Sequence, residues 1–425
     1  MFRFLAPFLI YSTLLTACGG GAGSSNTTES LSAAAQLGQE IFKDASLSAS
    51  GQMSCQTCHE PSIGHAWPDP RGIEAVAVGG PTLSDQGGRT PPAINYLKYN
   101  GAFKFDPDGT PKGGFFWDGR ANSLAEQAKG PFLNAVEMAN ADAAAVIHKL
   151  SQATYAEQFK RVFGADIFND PNTAFDRVAY ALERHQIEDA DFAPFTSKFD
   201  GVMQGKEAFT PEELRGLVWF NRADKGNCAA CHPSTKPDNA PAALFTDFSY
   251  DSLGVPRNTD ITANLNVNFF DKGLCGPTRT DLSTRTDLCG AFKVPSLRNV
   301  AKRKRFFHNG KFTTLTDVVN FYITRDTNPT AWYPADPNNV LVYNDLPALE
   351  RGNVNVTEAP YNRTGLSPAL NGQEITDLIA FLQTLSDRRP NSKDSCHDIQ
   401  KHLHRCRRFA GLPNRPRTNR QRSGG

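Results

Sequence analysis

Residues 55–59 read "CQTCH" and residues 228–232 read "CAACH". Each is a C-x-x-C-H pentapeptide, the attachment signature of c-type haem. In such a motif the two thiols add to the haem vinyl groups and the adjacent His reaches the iron. A zinc site would need two more ligands per metal, and a redox dithiol does not require the following His. With nine Cys and nine His in 425 residues, two chance occurrences are not expected. The motifs therefore predict two covalently bound haem c groups. Cys55, Cys58 and His59 hold one; Cys228, Cys231 and His232 hold the other, with His59 and His232 as metal ligands.

Each motif follows an amphipathic helical pattern. Before the first, "AAQLGQEIF" places Leu37, Ile41 and Phe42 on one face. Before the second, "TPEELRGLVWF" offers Thr210 as N-cap, Pro211 at N1 and Glu213 at N3. Its Leu214, Leu217 and Val218 are expected to face inward. A closing helix, "LNGQEITDLIAFLQTLSD", carries a stripe of Ile375, Leu378, Ile379, Leu382 and Leu385. Residues 142–163 and 173–188 also read as helical, and strand signals are few and short. Helix, haem motif, loops and closing helix predict a mainly α protein of two cytochrome c-like domains, residues 30–200 and 201–388.

The ends differ from the body. Arg3 followed by apolar Phe4 to Leu15 reads as a signal peptide, too short to span a membrane. "LTAC", Leu15 to Cys18, looks like a bacterial lipobox. It predicts a signal peptide over residues 1–17 and lipidation of Cys18; plain signal cleavage would leave Cys18 incidental. Gly19 after it implies outer-membrane sorting, so the expected place is the periplasmic side of a Gram-negative envelope. Residues 18–29 read as a flexible tether. The net charge of +1 names no strong electrostatic partner, and nucleic acid is not expected. The basic stretch 389–425 reads as a solvated, disordered extension. In an oxidising compartment Cys275 could bridge Cys289, and Cys396 could bridge Cys406.

Second axial ligands can be sought by counting. The methionines are Met1, Met53, Met138 and Met203, so none follows the second haem motif. His308, a Tyr or an open position remains for that haem. His65 lies too close to His59 in sequence to cross to the opposite ring face, and reads as a propionate or loop contact.

Several segments in order resemble the bacterial dihaem cytochrome c peroxidase and MauG superfamily: "LGQEIF", "CQTCHEP", "RTPPAIN", "FFWDGRANSLAEQAKGPFLNAVEMAN", "GNCAACH" and "FKVPSLRNVAKRKRFFHNGKFTTLTDVVNFY". The resemblance implies that Trp117 lies between the haems and relays electrons. It implies a distal pocket of Gln127, Pro131 and Glu137 over a peroxide-binding first haem. Glu137 would take a proton from peroxide and return it to the leaving oxygen. "TTLTDVVNFY" puts Tyr322 where peroxidases of the family carry a Met ligand; MauG-type members carry Tyr there. An anionic phenolate favours high oxidation states of iron. His308 is the alternative ligand. The family's calcium positions correspond to Thr90, Arg303 and Arg305, which leaves calcium in doubt; the Lys302–Arg305 cluster could replace its charge.

Three functions compete. The first is a MauG-like oxidase that uses hydrogen peroxide to oxidise a partner protein's side chain through Trp117. The second is a cytochrome c peroxidase that reduces peroxide to water with electrons from a small redox protein. The third is a non-enzymatic electron-transfer lipoprotein, which would need a sixth ligand on the first haem.

Overall fold

The computed structural model describes residues 30–72, 74–336 and 339–388. The expected signal peptide, lipidation site Cys18, tether, Cys396–Cys406 bridge and basic extension lie outside the described residues. Among the described residues the α-helices are α1 Ala33–Lys43, α2 Cys55–Cys58, α3 Leu124–Leu133, α4 Ala143–Leu150, α5 Ala156–Phe163, α6 Pro171–Glu188, α7 Lys198–Met203, α8 Pro211–Asn221, α9 Leu315–Thr324 and α10 Gly372–Gln383. Strands are two or three residues long and form four antiparallel pairs: β1 Val78–Gly79 with β2 Asp85–Gln86, β3 Lys104–Phe105 with β4 Pro111–Lys112, β5 Tyr250–Ser252 with β6 Ala291–Lys293, and β7 Ala335–Asp336 with β8 Asn339–Val340. The regular structure is therefore mainly helical. No helix among the described residues is long and apolar enough to cross a membrane.

Two large cores organise the chain. The first draws on buried residues between Leu37 and Phe192. The second draws on buried residues between Phe199 and Leu385. Each core is built on one close helix crossing. In the first, Ser32 Oγ caps α1 by accepting from the Ala35 N–H, and Leu37, Ile41 and Phe42 turn inward. Gly38 lets α1 meet α6: a β-carbon there would lie 2.0 Å from the Ala181 carbonyl oxygen. In the second, capping boxes at Thr210/Glu213 and Asn371/Glu374 start α8 and α10. At Gly216 a β-carbon would likewise lie 2.0 Å from the Asp377 carbonyl oxygen.

That approach corrects part of the expected inward face of α8: Leu217 packs against the core as expected, but Leu214 and Val218 do not. Leu214 is 53% exposed and Val218 46% exposed, while Gly216 and Phe220 are buried. The helix turns its smallest residue to its partner because backbone contact at Gly216 fixes the crossing. Hydrophobicity along the helix does not decide the face.

Buried polar links brace the fold, one inside the second core and two between the halves. Arg298 donates to both Asp200 carboxylate oxygens at 2.7 and 2.8 Å. Tyr96 donates to Asp387 at 2.7 Å, and Arg305 to Asp69 at 2.8 Å. Cys275 and Cys289 form a disulfide with Cα atoms 5.0 Å apart.

Candidate functional site: two cavities sharing a wall

Both C-x-x-C-H motifs fold as a helical turn. The His59 N–H donates to the Cys55 carbonyl at 3.0 Å, and the His232 N–H to the Cys228 carbonyl at 2.9 Å. One turn thus brings both thiols and the imidazole to a single cavity. Cys55, Cys58 and His59 line the first cavity, and Cys228, Cys231 and His232 line the second. All four thiols are unpaired. Burial pushes the pKa of each His down to about 4, so both rings are neutral and can donate a lone pair. His232 Nδ1 sits 2.9 Å from the Phe245 carbonyl oxygen. A carbonyl only accepts, so Nδ1 carries the proton and Nε2 is left for a metal.

The second cavity also contains Arg303, whose buried Nε has no hydrogen-bond partner. Its Nη2 is spent on the Ser296 and Arg298 carbonyls. Arg305 lines the same cavity. A buried guanidinium with a spare donor suits the carboxylates at the edge of a haem. Paired thiols, neutral imidazoles and this cation fit the group the motifs call for.

The first cavity holds the expected peroxide-handling set. Gln127 and Pro131 come from α3; Glu137 follows it, and all three line the cavity. Asn134 Nδ2 donates to Glu137 Oε1 at 2.7 Å. Burial raises the Glu137 carboxyl above its ordinary range, against the pull of Asn134 and Arg120. His65 lines neither cavity; its ring stacks on Phe192 with centroids 4.0 Å apart.

Trp117 lines both cavities, together with Thr90, Pro91, Pro92 and Asp271. A tight turn presents it. The Phe115 N–H donates to the Ala121 carbonyl at 2.7 Å, and Phe116 and Gly119 take φ of +66° and +68°. A β-carbon at Gly119 would strike the Tyr250 hydroxyl at 2.0 Å. Asp118, fully buried, accepts from Arg120 and Arg89. Trp117 Nε1 donates to the Thr90 carbonyl at 2.7 Å, and the Lys293 N–H holds the Trp117 carbonyl at 2.9 Å. The indole is therefore fixed from both ends.

The same turn occurs a second time, a repeat whose signal in the sequence is the matching pair "FFWDGRA" and "FFHNGKF". The Phe306 N–H donates to the Phe312 carbonyl at 3.1 Å, and Phe307 and Gly310 take φ of +63° and +61°. His308 occupies the place of Trp117. The Thr90 backbone joins the two turns, since its N–H donates to the His308 carbonyl at 2.7 Å. The His308 ring stacks face to face on Phe292 at 3.5 Å, with Nε2 3.7 Å from Asp345. Helices follow both turns at the same spacing, so α9 matches α3 and Tyr322 falls where Pro131 stands. Tyr322 lines the second cavity with its ring 6.0 Å from Tyr361. Burial raises its phenol strongly, so a phenolate there requires a cation beside it.

At the positions matched to calcium, Thr90 gives its carbonyl to Trp117, Arg305 pairs with Asp69 and Arg303 faces the cavity. Among the described residues no group of three or more His, Cys, Asp or Glu could hold a metal ion. Two further residues had no local signal. Arg89 donates to both Asp271 oxygens at 2.6 and 2.7 Å and to Asp118 at 2.7 Å, bracing the shared wall. Burial alone would raise Asp271; Arg89 more than offsets it and holds the carboxyl below its usual range.

Two thiol-and-imidazole cavities sharing a wall that holds Trp117 fit a dihaem oxidoreductase. The comparisons agree. A family model described as di-haem cytochrome c peroxidase matches residues 32–208. The chain is 37% identical over 390 residues to the methylamine utilization protein MauG of Paracoccus denitrificans, covering 91% of this chain and 95% of that one. It is 28% identical over 366 residues to a cytochrome c551 peroxidase of Nitrosomonas europaea, covering 84% and 81%. The crystal structure of the diheme peroxidase BthA from Burkholderia thailandensis superposes with a TM-score of 0.77 at 36% identity, covering 83% and 86%. The chain belongs to the di-haem cytochrome c peroxidase and MauG family, on its MauG-like branch. It is a haem-dependent peroxidase or oxidase.

Proposed function

We propose that the chain carries two covalently bound haem c groups and uses hydrogen peroxide to oxidise a side chain of a partner protein. The observation that carries this is Trp117, in the wall of a cavity with Glu137 and of a second cavity with Tyr322. Bound haem supplies iron that takes up peroxide and stores oxidising equivalents. The protein does the rest. Glu137, held by Asn134, accepts a proton from peroxide and returns it to the leaving oxygen. Its raised pKa suits both halves of that exchange. Pro131 offers the first cavity no donor atom, which leaves room for peroxide. Trp117, fixed by Thr90 and Lys293, carries electrons between the cavities. Tyr322, in the second cavity, would help hold the second haem through its phenol oxygen, in preference to His308, whose ring is stacked on Phe292. Lipid attachment at Cys18, on the periplasmic side of a Gram-negative envelope, belongs to the same proposal and rests on sequence.

A second reading is peroxide reduction to water with electrons from a small redox protein, favoured by similarity to the Nitrosomonas europaea peroxidase. One equivalent of peroxide added to the purified diferric protein separates the two. A long-lived state two equivalents more oxidised, seen by optical and EPR spectra without prior reduction, supports the partner-oxidising reading. No reaction until the second haem is reduced overturns it in favour of the peroxidase.

A further inference from the structure

We propose that Tyr343 is a redox-active residue, the outer end of an aromatic route by which single electrons from outside the protein reach the second cavity. The inference rests on the function proposed above and adds an entry point to it.

The route begins at Tyr322 in the cavity wall. Tyr361 lines the same cavity, its ring 6.0 Å from that of Tyr322 and tilted by 31°. The buried Arg325 guanidinium lies over Tyr361 at 4.2 Å and over Tyr343 at 5.3 Å, so one cation touches both phenol rings. Tyr343 in turn meets Tyr333 edge-on at 5.7 Å. Tyr343 is half-buried, and the nearby Leu341 and Leu349 are exposed.

A phenol that loses an electron becomes strongly acidic and must lose its proton as well. Tyr343 has somewhere to send it: its hydroxyl donates to Asp326 Oδ1 at 3.1 Å. Arg325 grips that carboxylate with two 2.8 Å hydrogen bonds, fixing its direction. Tyr333 donates instead to the Gly254 carbonyl, which is no base at neutral pH. Among the described residues of this cluster, only Tyr343 has a carboxylate on its hydroxyl. The cation beside the ring opposes a radical cation and tolerates a neutral phenoxyl, which again requires the proton to leave.

The backbone is bent to hold this arrangement. Tyr343 takes φ of +55°, a region costly for a bulky side chain. Its ring fills the space left by Gly254, where a β-carbon would lie 2.4 Å from Tyr343 Cδ1.

The step balances. An oxidising equivalent in the second cavity takes one electron from Tyr343; the phenolic O–H breaks and its proton passes to Asp326. An outside one-electron donor then reduces the phenoxyl, and Asp326 returns the proton. Peroxide takes up two electrons and two protons to become two waters, so two such passes serve each peroxide.

The test is one equivalent of hydrogen peroxide on the full holoprotein without partner, followed by freeze-quench EPR and optical spectra. Wild type is expected to give a tyrosyl radical that Tyr343→Phe removes. Asp326→Asn should slow its formation by about 100-fold, the low end of what a positioned base contributes. Mass spectrometry of peroxide-treated wild type should find oxidation at Tyr343, a readout that needs no variant to fold. If the oxidised state forms but the radical is absent, or survives Tyr343→Phe, the Tyr343 route is overturned and the proposed function stands. If no oxidised state forms, the function reading fails and this inference fails with it.

Discussion

Residues 115–133 and 306–324 are two versions of one device, a Phe-Phe turn followed by a capped helix. The turns match in hydrogen bond, in positive φ at the second Phe and the Gly, and in an Asx contact from Asp118 or Asn309 to the residue two further on. Ser123 caps α3 and Thr314 caps α9 at the same step. The chemistry differs at two matched positions. The turn offers Trp117 in one copy and His308 in the other. The helix offers Pro131 in one and Tyr322 in the other. The scaffold is repeated, and in the proposed function single side chains divide the labour: Pro131 beside Glu137 in the cavity assigned to peroxide, and Tyr322 in the cavity assigned to storing charge.

The sharpest way to break that division is Tyr322→Met. A neutral thioether in place of an anionic phenolate stabilises the reduced iron. The second haem's potential should rise by on the order of 0.2 V, within the ~0.8 V span that axial ligands cover. Potentiometry on the purified protein checks this, and an unchanged potential would remove Tyr322 as the ligand.

Next in size is Glu137→Gln, which keeps the Asn134 hydrogen bond and removes the proton acceptor. The rate of reaction with peroxide should fall by about 10²–10⁴-fold, the range for a positioned acid–base group. The second haem's potential should hold. In wild type that rate should climb with pH as Glu137 loses its proton, at a pKa above the ordinary carboxyl value of 4.5. Stopped-flow profiles should show the rise in wild type and a flat line in the variant; a rise in both would move the base elsewhere.

These contrasts were only partly legible in the sequence. The haem motifs are local, five residues each, and needed no fold to be read. Helices α1 and α10 followed from apolar spacing, because Leu37, Ile41 and Phe42 in one and Leu378 and Leu382 in the other face buried cores. Helix α8 misled because its contact face is set by Gly216, a residue without hydrophobic signal. Trp117, Glu137 and Tyr322 carried no chemistry of their own in the sequence and took meaning from family resemblance. Arg89 and Asp271 stand 182 residues apart, and only the folded chain joins them. The repeated turn was visible, but its two copies differ at the positions that draw the eye.

The smallest effect tests whether the halves are equivalent as scaffolds. A β-carbon at Gly38 or at Gly216 would lie 2.0 Å from a carbonyl oxygen of the facing helix, and a carbonyl in a helix cannot step aside. Alanine at an exposed helix position would stabilise by about 0.5–1 kcal/mol through backbone entropy. Here the added methyl must push the crossing apart, at a cost of about 1–3 kcal/mol. Gly38→Ala and Gly216→Ala are therefore both expected to lower the thermal midpoint, by similar amounts. Each should disturb the spectrum of the haem in its own half first. Stabilisation by either variant would mean that the crossing yields. Unequal losses would mean that the two crossings sit in scaffolds of different stiffness, one half absorbing strain that the other cannot.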